Sequence, residues 1–221
     1  MRSNQLGNII GLIVAAVILG VFVWRLPING WGSLLWFGAM VGMGIIRVPH
    51  ERQSKTVETA SSKQDNIENV LLFGVSLGSA ILPALQLLTG WLSFANYSVP
   101  SFWPFLGLLF ALPGLWLFRR SHVDLGENWS VTLEIRSEHG LVTNGVYNKI
   151  RHPMYSAIFL LYAGQAIFIH NWIAGLSGLF AFGLMYIVRT PIEEAMMKEQ
   201  FGQAYDDYCI RTGRLVPKMG S

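Results

Sequence analysis

The chain has 221 residues, with 16 Lys and Arg against 13 Asp and Glu and a formal net charge of +3. Hydrophobic residues make up 52% and charged residues 13%, with a mean hydropathy of +0.42; a soluble domain carries about 25% charge. This excludes an ordinary soluble globule and points to a bilayer, and the mild basicity belongs to membrane-facing loops rather than to a nucleic-acid platform.

Six apolar runs, near 6–24, 28–46, 69–90, 99–118, 154–171 and 172–188, are each about the 20 residues that a spanning helix needs. The fold class read from them is all-α: a polytopic membrane protein of about six transmembrane helices, with a cytoplasmic C-terminal amphipathic helix near 191–210. Arg2 before the first run resembles a leader, but the run is long, lacks a small-x-small cleavage site and is followed at once by a second span, so it reads as a retained helix. "RLPING" (25–30) is a turn that makes a hairpin of spans one and two. Residues 47–68 read as a long polar loop in water. "GAMVG" (38–42) and "GVSLG" (74–78) fit the small-xxx-small pattern of close helix contact. Spans five and six meet at His170–Asn171–Trp172 with almost no loop.

Of the 16 Lys and Arg, 15 fall on one side of this topology, with Arg25 alone opposite. Both termini are then cytoplasmic by the positive-inside rule. The polar stretches 119–153 and 189–221 share that side. The chain divides into amino-terminal helices, 1–118, and a catalytic region, 119–221.

Two stretches carry chemistry. "HGLVTNGVYNKIRHPMY" (139–155) combines the turn dipeptide Asn144-Gly145 with Pro153, which suits the first turn of span five. Unsatisfied N–H groups at that helix start, with Arg151 and His152 beside them, can hold an anion; a basic loop on lipid headgroups is the equal alternative. In the second stretch, Arg189 and Glu193 are four apart and share a face if the helix continues. The alternative is a capping box, Thr190-Pro191-Ile192-Glu193, that starts a new helix and turns Arg189 away. His50 and His122 read as solvated loop residues, and His170 lies at the opposite interface. The sequence has no Cys/His cluster, P-loop, G-x-G-x-x-G or G-x-S-x-G, which argues against a zinc site, Walker or Rossmann nucleotide binding, and a serine hydrolase. The lone Cys209 excludes an intrachain disulfide.

The ordered combination of "HGLVTNGVYNKIRHPMY", "RTPIEE" and "FGQAYDDYCIRTGRLVP" resembles the isoprenylcysteine carboxyl methyltransferase family, with its phospholipid methyltransferase relatives, over roughly residues 119–217. The resemblance implies an integral-membrane, S-adenosylmethionine-dependent methyltransferase without a Rossmann fold or a metal. By position it implies that His139, Gly140, Leu141, Val142, Tyr147, His152, Pro153, Met154, Tyr155 and Glu193 line the cofactor, and that Arg189 holds the substrate. Arg189 and Glu193 are the implied catalytic pair. The implied partners are membrane lipids and a prenylated or other lipid-associated substrate, in a bacterial inner membrane or the endoplasmic reticulum. Ser156 and Ala157 follow Tyr155, where the family often has Gly two residues on. The competing readings are a phospholipid or amine N-methyltransferase, an NADPH-dependent sterol-type reductase with a similar R-H-P-x-Y string, and a non-enzymatic membrane scaffold.

Overall fold

Backbone polar groups find no water inside a bilayer, so the apolar runs satisfy themselves as helices. The computed structural model describes residue 13 and residues 16–54, 59–62, 66–126, 134–136 and 140–218. In chain order these form α1 (residues 16–24), α2 (Leu26–Asn29), α3 (Trp31–Ser54), β1 (Thr59–Ser62), α4 (Asn66–Ser76), a π-helical turn (Leu77–Ile81), α5 (Leu82–Thr89), α6 (Trp103–Leu106), α7 (Leu108–Leu125), β2 (Glu134–Arg136), α8 (Pro153–Phe168), α9 (Trp172–Phe201) and α10 (Gln203–Arg211).

Among the described residues, Trp31–Glu51, Asn66–Thr89 and Trp172–Phe201 are long and apolar enough to cross a membrane, and Pro153–Phe168 is a shorter apolar helix. Trp31, Ile45, Phe73, Trp116, Phe180 and Ile187 are exposed, as the outer surface of a lipid-solvated protein should be. The helical membrane architecture therefore holds. About half of the first expected span, 6–24, lies outside the described residues. The fourth is broken at Gly107 between α6 and α7, where a Cβ would come within 2.5 Å of the Phe168 ring.

Residues 47–68 are not one long loop. Helix α3 continues to Ser54, β1 follows, and α4 begins at Asn66. β1 pairs antiparallel with β2, with an irregular register between Thr59 and Ser61. This ribbon is an addition to the all-α expectation, and it joins two polar stretches assigned to the same membrane face. Helix α7 likewise runs past 118, so His122 is not a solvated loop residue. It is fully buried, with Nδ1 2.8 Å from the Phe118 carbonyl and its ring 5.0 Å from that of His50 on α3. Hydropathy marks where the apolar run ends, but hydrogen bonds decide where the helix ends. Ser121 and His122 both satisfy themselves on carbonyls one turn back.

The hairpin of α8 and α9 turns within three residues because Asn171 caps α9, its side chain accepting from Ile173 N (3.0 Å) and Ala174 N (2.8 Å). A π-helical turn locks the hairpin to the preceding span. Leu82 N donates to Leu77 O, five residues back, and Pro83 has no N–H to give. The Gly78 carbonyl that Leu82 would serve in a regular α-helix accepts instead from Gln165 Nε2 (3.0 Å) and Ser177 Oγ (2.6 Å). One carbonyl thus joins three helical segments. A Cβ at Gly78 would lie 2.5 Å from the Ser177 carbonyl oxygen, whereas one at Gly74 meets nothing within 4 Å. Gly78→Ala should therefore destabilise the protein in detergent by about 1–3 kcal/mol, while Gly74→Ala should be neutral or stabilising by up to ~1 kcal/mol; thermal unfolding of the two variants measures the contrast.

Candidate active site

The site grows from the continuity of α9, which passes through Pro191 and ends only at Phe201. The capping-box alternative is thereby overturned. Pro191 removes one backbone donor inside the helix, but the helical register persists and keeps Arg189 and Glu193 one turn apart on a shared face. The single amphipathic helix expected over 191–210 is instead the end of α9 and the separate α10, divided at Gly202, whose φ of 53° suits glycine.

Arg189 is 8% exposed and Glu68, at the start of α4, is 5% exposed. The Arg189 Nε donates to Glu193 Oε1 at 2.8 Å, and its Nη1 lies 3.2 Å from Glu68 Oε1. The same Glu193 oxygen accepts the Tyr155 hydroxyl at 2.6 Å. Around the corner, His152 stacks on Tyr155 with ring centroids 5.4 Å apart. Its Nδ1 lies 3.6 Å from Glu193 Oε2 and its Nε2 3.2 Å from Glu194 Oε1. The string ahead of span five and the acidic turn beyond span six therefore meet in one cluster.

Glu194 belongs to a second layer. Arg151 Nε reaches its Oε1 at 3.4 Å and Arg214 Nε at 3.0 Å, and Arg214 Nη2 pairs with Oε2. Arg151 is thus not available to an anion as the sequence suggested. Its Nη1 donates to the carbonyls of Thr212 (2.6 Å) and Cys209 (3.1 Å), closing the end of α10. Residues 213–215 then run beside 149–152. Ile150 and Gly213 form a parallel bridge, Arg151 N and His152 N donate to the carbonyls of Gly213 (2.8 Å) and Arg214 (3.0 Å), and Ser156 Oγ donates to Leu215 O at 2.5 Å. The hydroxyl at 156 helps hold the tail.

The remaining expected residues are spread around this core. Pro153 is buried and opens α8, and Met154 packs against the main hydrophobic core. Gly140 is exposed, Leu141 and Val142 are half-buried in coil, and His139 lies outside the described residues. Tyr147 is buried, with its hydroxyl 3.4 Å from the Ser121 carbonyl and its own carbonyl accepting from Tyr208 Oη at 2.6 Å. Burial, with Tyr208 and Glu193 adding, pushes that phenol well above its ordinary pKa, so Tyr147 acts as a neutral packing group. The turn that carries it is anchored by Asp124, which accepts from Val146 N at 2.9 Å beside Gly145, whose φ is 57°. Sequence reasoning missed Glu68, Asp124, Tyr208 and Arg214. For Glu68 there was one signal, a carboxylate on the brink of an apolar run. No group of three or more metal-ligating side chains occurs among the described residues. Arg151→Ala should raise hydrogen exchange across 203–216 by tenfold or more, roughly the loss of one charged hydrogen bond; Arg214→Ala, a half-exposed arm of the same cluster, should change it less.

Residues 102–204 match the family model for phospholipid methyltransferase. Protein-S-isoprenylcysteine O-methyltransferase B of Arabidopsis thaliana is 31% identical over 113 residues, which cover 50% of this chain and 57% of that protein. The Homo sapiens protein-S-isoprenylcysteine O-methyltransferase is 29% identical over 164 residues, 69% of this chain and 57% of its own length. This chain thus spans little more than half the length of these two relatives. The fold is similar to that of a eukaryotic intramembrane Ras methyltransferase, an isoprenylcysteine carboxyl methyltransferase, with a TM-score of 0.55 and 23% identity over 92% of this chain and 74% of that one. The family resemblance read from the motifs is borne out.

Proposed function

We infer that this chain, a relative of the isoprenylcysteine carboxyl methyltransferases, is an integral-membrane methyltransferase that uses S-adenosylmethionine to esterify the carboxylate of a prenylated cysteine or a similar lipid-borne acid. The observation that carries this reading is the buried cation Arg189 beside a carboxylate that also meets the R-H-P-x-Y string. The reading includes six membrane crossings with both termini and the site on the cytoplasmic face, in a bacterial inner membrane or the endoplasmic reticulum.

The residues fit the methyl donor. Glu193 suits its ammonium, the N-terminus of α8 suits its carboxylate, and the stacked pair of His152 and Tyr155 offers aromatic faces to a cation. When bound, S-adenosylmethionine supplies a methyl carbon on a sulfonium, which an ionised acid takes by in-line displacement without a base. Arg189 holds the acceptor carboxylate through its planar fork. Tyr155 fixes the Glu193 oxygen that orients Arg189, and the apolar walls of α8 and α9 exclude water, so that rate comes from positioning.

An amine acceptor on a phospholipid is the second reading, favoured by the family match over residues 102–204. It gives Arg189 no acceptor charge to hold. Calorimetry on the purified protein should show S-adenosylmethionine binding that Glu193→Gln weakens by roughly tenfold or more, the loss of a charged partner. Arg189→Ala should leave that affinity within about twofold but lower kcat/KM for a prenylcysteine carboxylate by roughly a hundredfold or more. An equal loss with an amine acceptor argues against a carboxylate-clamping role for Arg189.

A further inference from the structure

A buried ion pair is expensive and adds little stability over an apolar pair of similar volume, and inside a membrane such a pair marks function. Glu68 is a buried carboxylate on α4, in the amino-terminal half and outside the stretch that matches the family model. It ends 3.2 Å from Arg189 Nη1, while Glu193 takes Nε on the same guanidinium at 2.8 Å. The Nε contact holds one edge of the guanidinium plane. A second carboxylate at Nη1, from a different helix, fixes the plane. A carboxylate fork works only when its plane is set, because the two N–H groups must meet both acceptor oxygens together. Glu68 repels a second carboxylate and so cannot bind the acceptor itself; its effect passes through Arg189.

We propose that Glu68 is a positioning residue for the methyl acceptor, setting the plane of the Arg189 guanidinium so that the site selects substrates bearing a carboxylate. This rests on the carboxylate-acceptor reading above. It also gives the amino-terminal helices a part in the choice of acceptor, since α4 carries the residue while the cofactor-facing groups come from α8 and α9.

The test is steady-state kinetics with a prenylcysteine carboxylate, alongside calorimetric S-adenosylmethionine affinity, for wild type, Glu68→Ala and Glu68→Gln in detergent or nanodiscs. Glu68→Ala should raise KM for the acceptor by roughly tenfold or more, with kcat and cofactor affinity within about threefold of wild type. Glu68→Gln, whose amide oxygen still accepts from Nη1, should restore most of the lost KM. An unchanged KM in Glu68→Ala overturns the proposal. So does a cofactor affinity that falls in step with KM, which marks a structural role, or a Glu68→Gln variant no better than Glu68→Ala. Wild-type protein that binds the methyl donor but turns over no carboxylate acceptor sinks the functional reading itself, and this inference with it.

Discussion

Arg189 is buried on a long apolar helix, and its charge has to be answered from inside the protein. Glu193 supplies one carboxylate from the next turn of the same helix and Glu68 another from a helix more than a hundred residues earlier in the chain. Much of this end of the protein follows from that requirement. α4 must begin where Glu68 can reach, α9 must stay helical through Pro191 to keep Glu193 in register, and α8 must start close enough for Tyr155 to share the Glu193 oxygen. A cation that is costly to bury without partners thereby fixes the relative positions of three helices.

Around this core the chain uses arginines in two distinct ways. Arg189 is nearly dry and pairs with groups that could contact a ligand. Arg151 and Arg214 converge on Glu194 and fasten the carboxy-terminal tail to the start of α8. The two adjacent glutamates are therefore not equivalent: Glu193 faces Arg189 and Tyr155, and Glu194 faces the tail. The i, i+4 spacing from Arg189 already sets Glu193 apart from Glu194 in the sequence.

Much of this was legible in the residues. The helical membrane architecture followed from apolar run length. The resemblance, confined to the second half, implied that His152, Tyr155 and Glu193 share one site, and the three side chains do come together. What could not be read were side-chain destinations set by distant partners. Arg151 looked like an anion donor because its carbonyl acceptors lie about sixty residues away at the end of α10. His122 looked solvated because helix α7 runs on past the apolar residues that defined its span. Pro191 was ambiguous because local rules allow it either to open a helix or to sit within one, and packing against α4 and α8 decides between them. Glu68 gave only one weak sign, its place on the brink of an apolar run, because a carboxylate there ordinarily faces water.

The pairing of Ile150 with Gly213 bears on how the molecule is made. The start of α8 emerges from the ribosome about sixty residues before the strand that lies against it, and the helical hairpin between them can be threaded into the bilayer in the meantime. During that interval His152 N lacks its carbonyl partner and Arg151 has no helix end to close, so the cluster around Glu194 is incomplete. The cluster closes only when residues 213–215 arrive, which makes its assembly a late step in the folding of the chain.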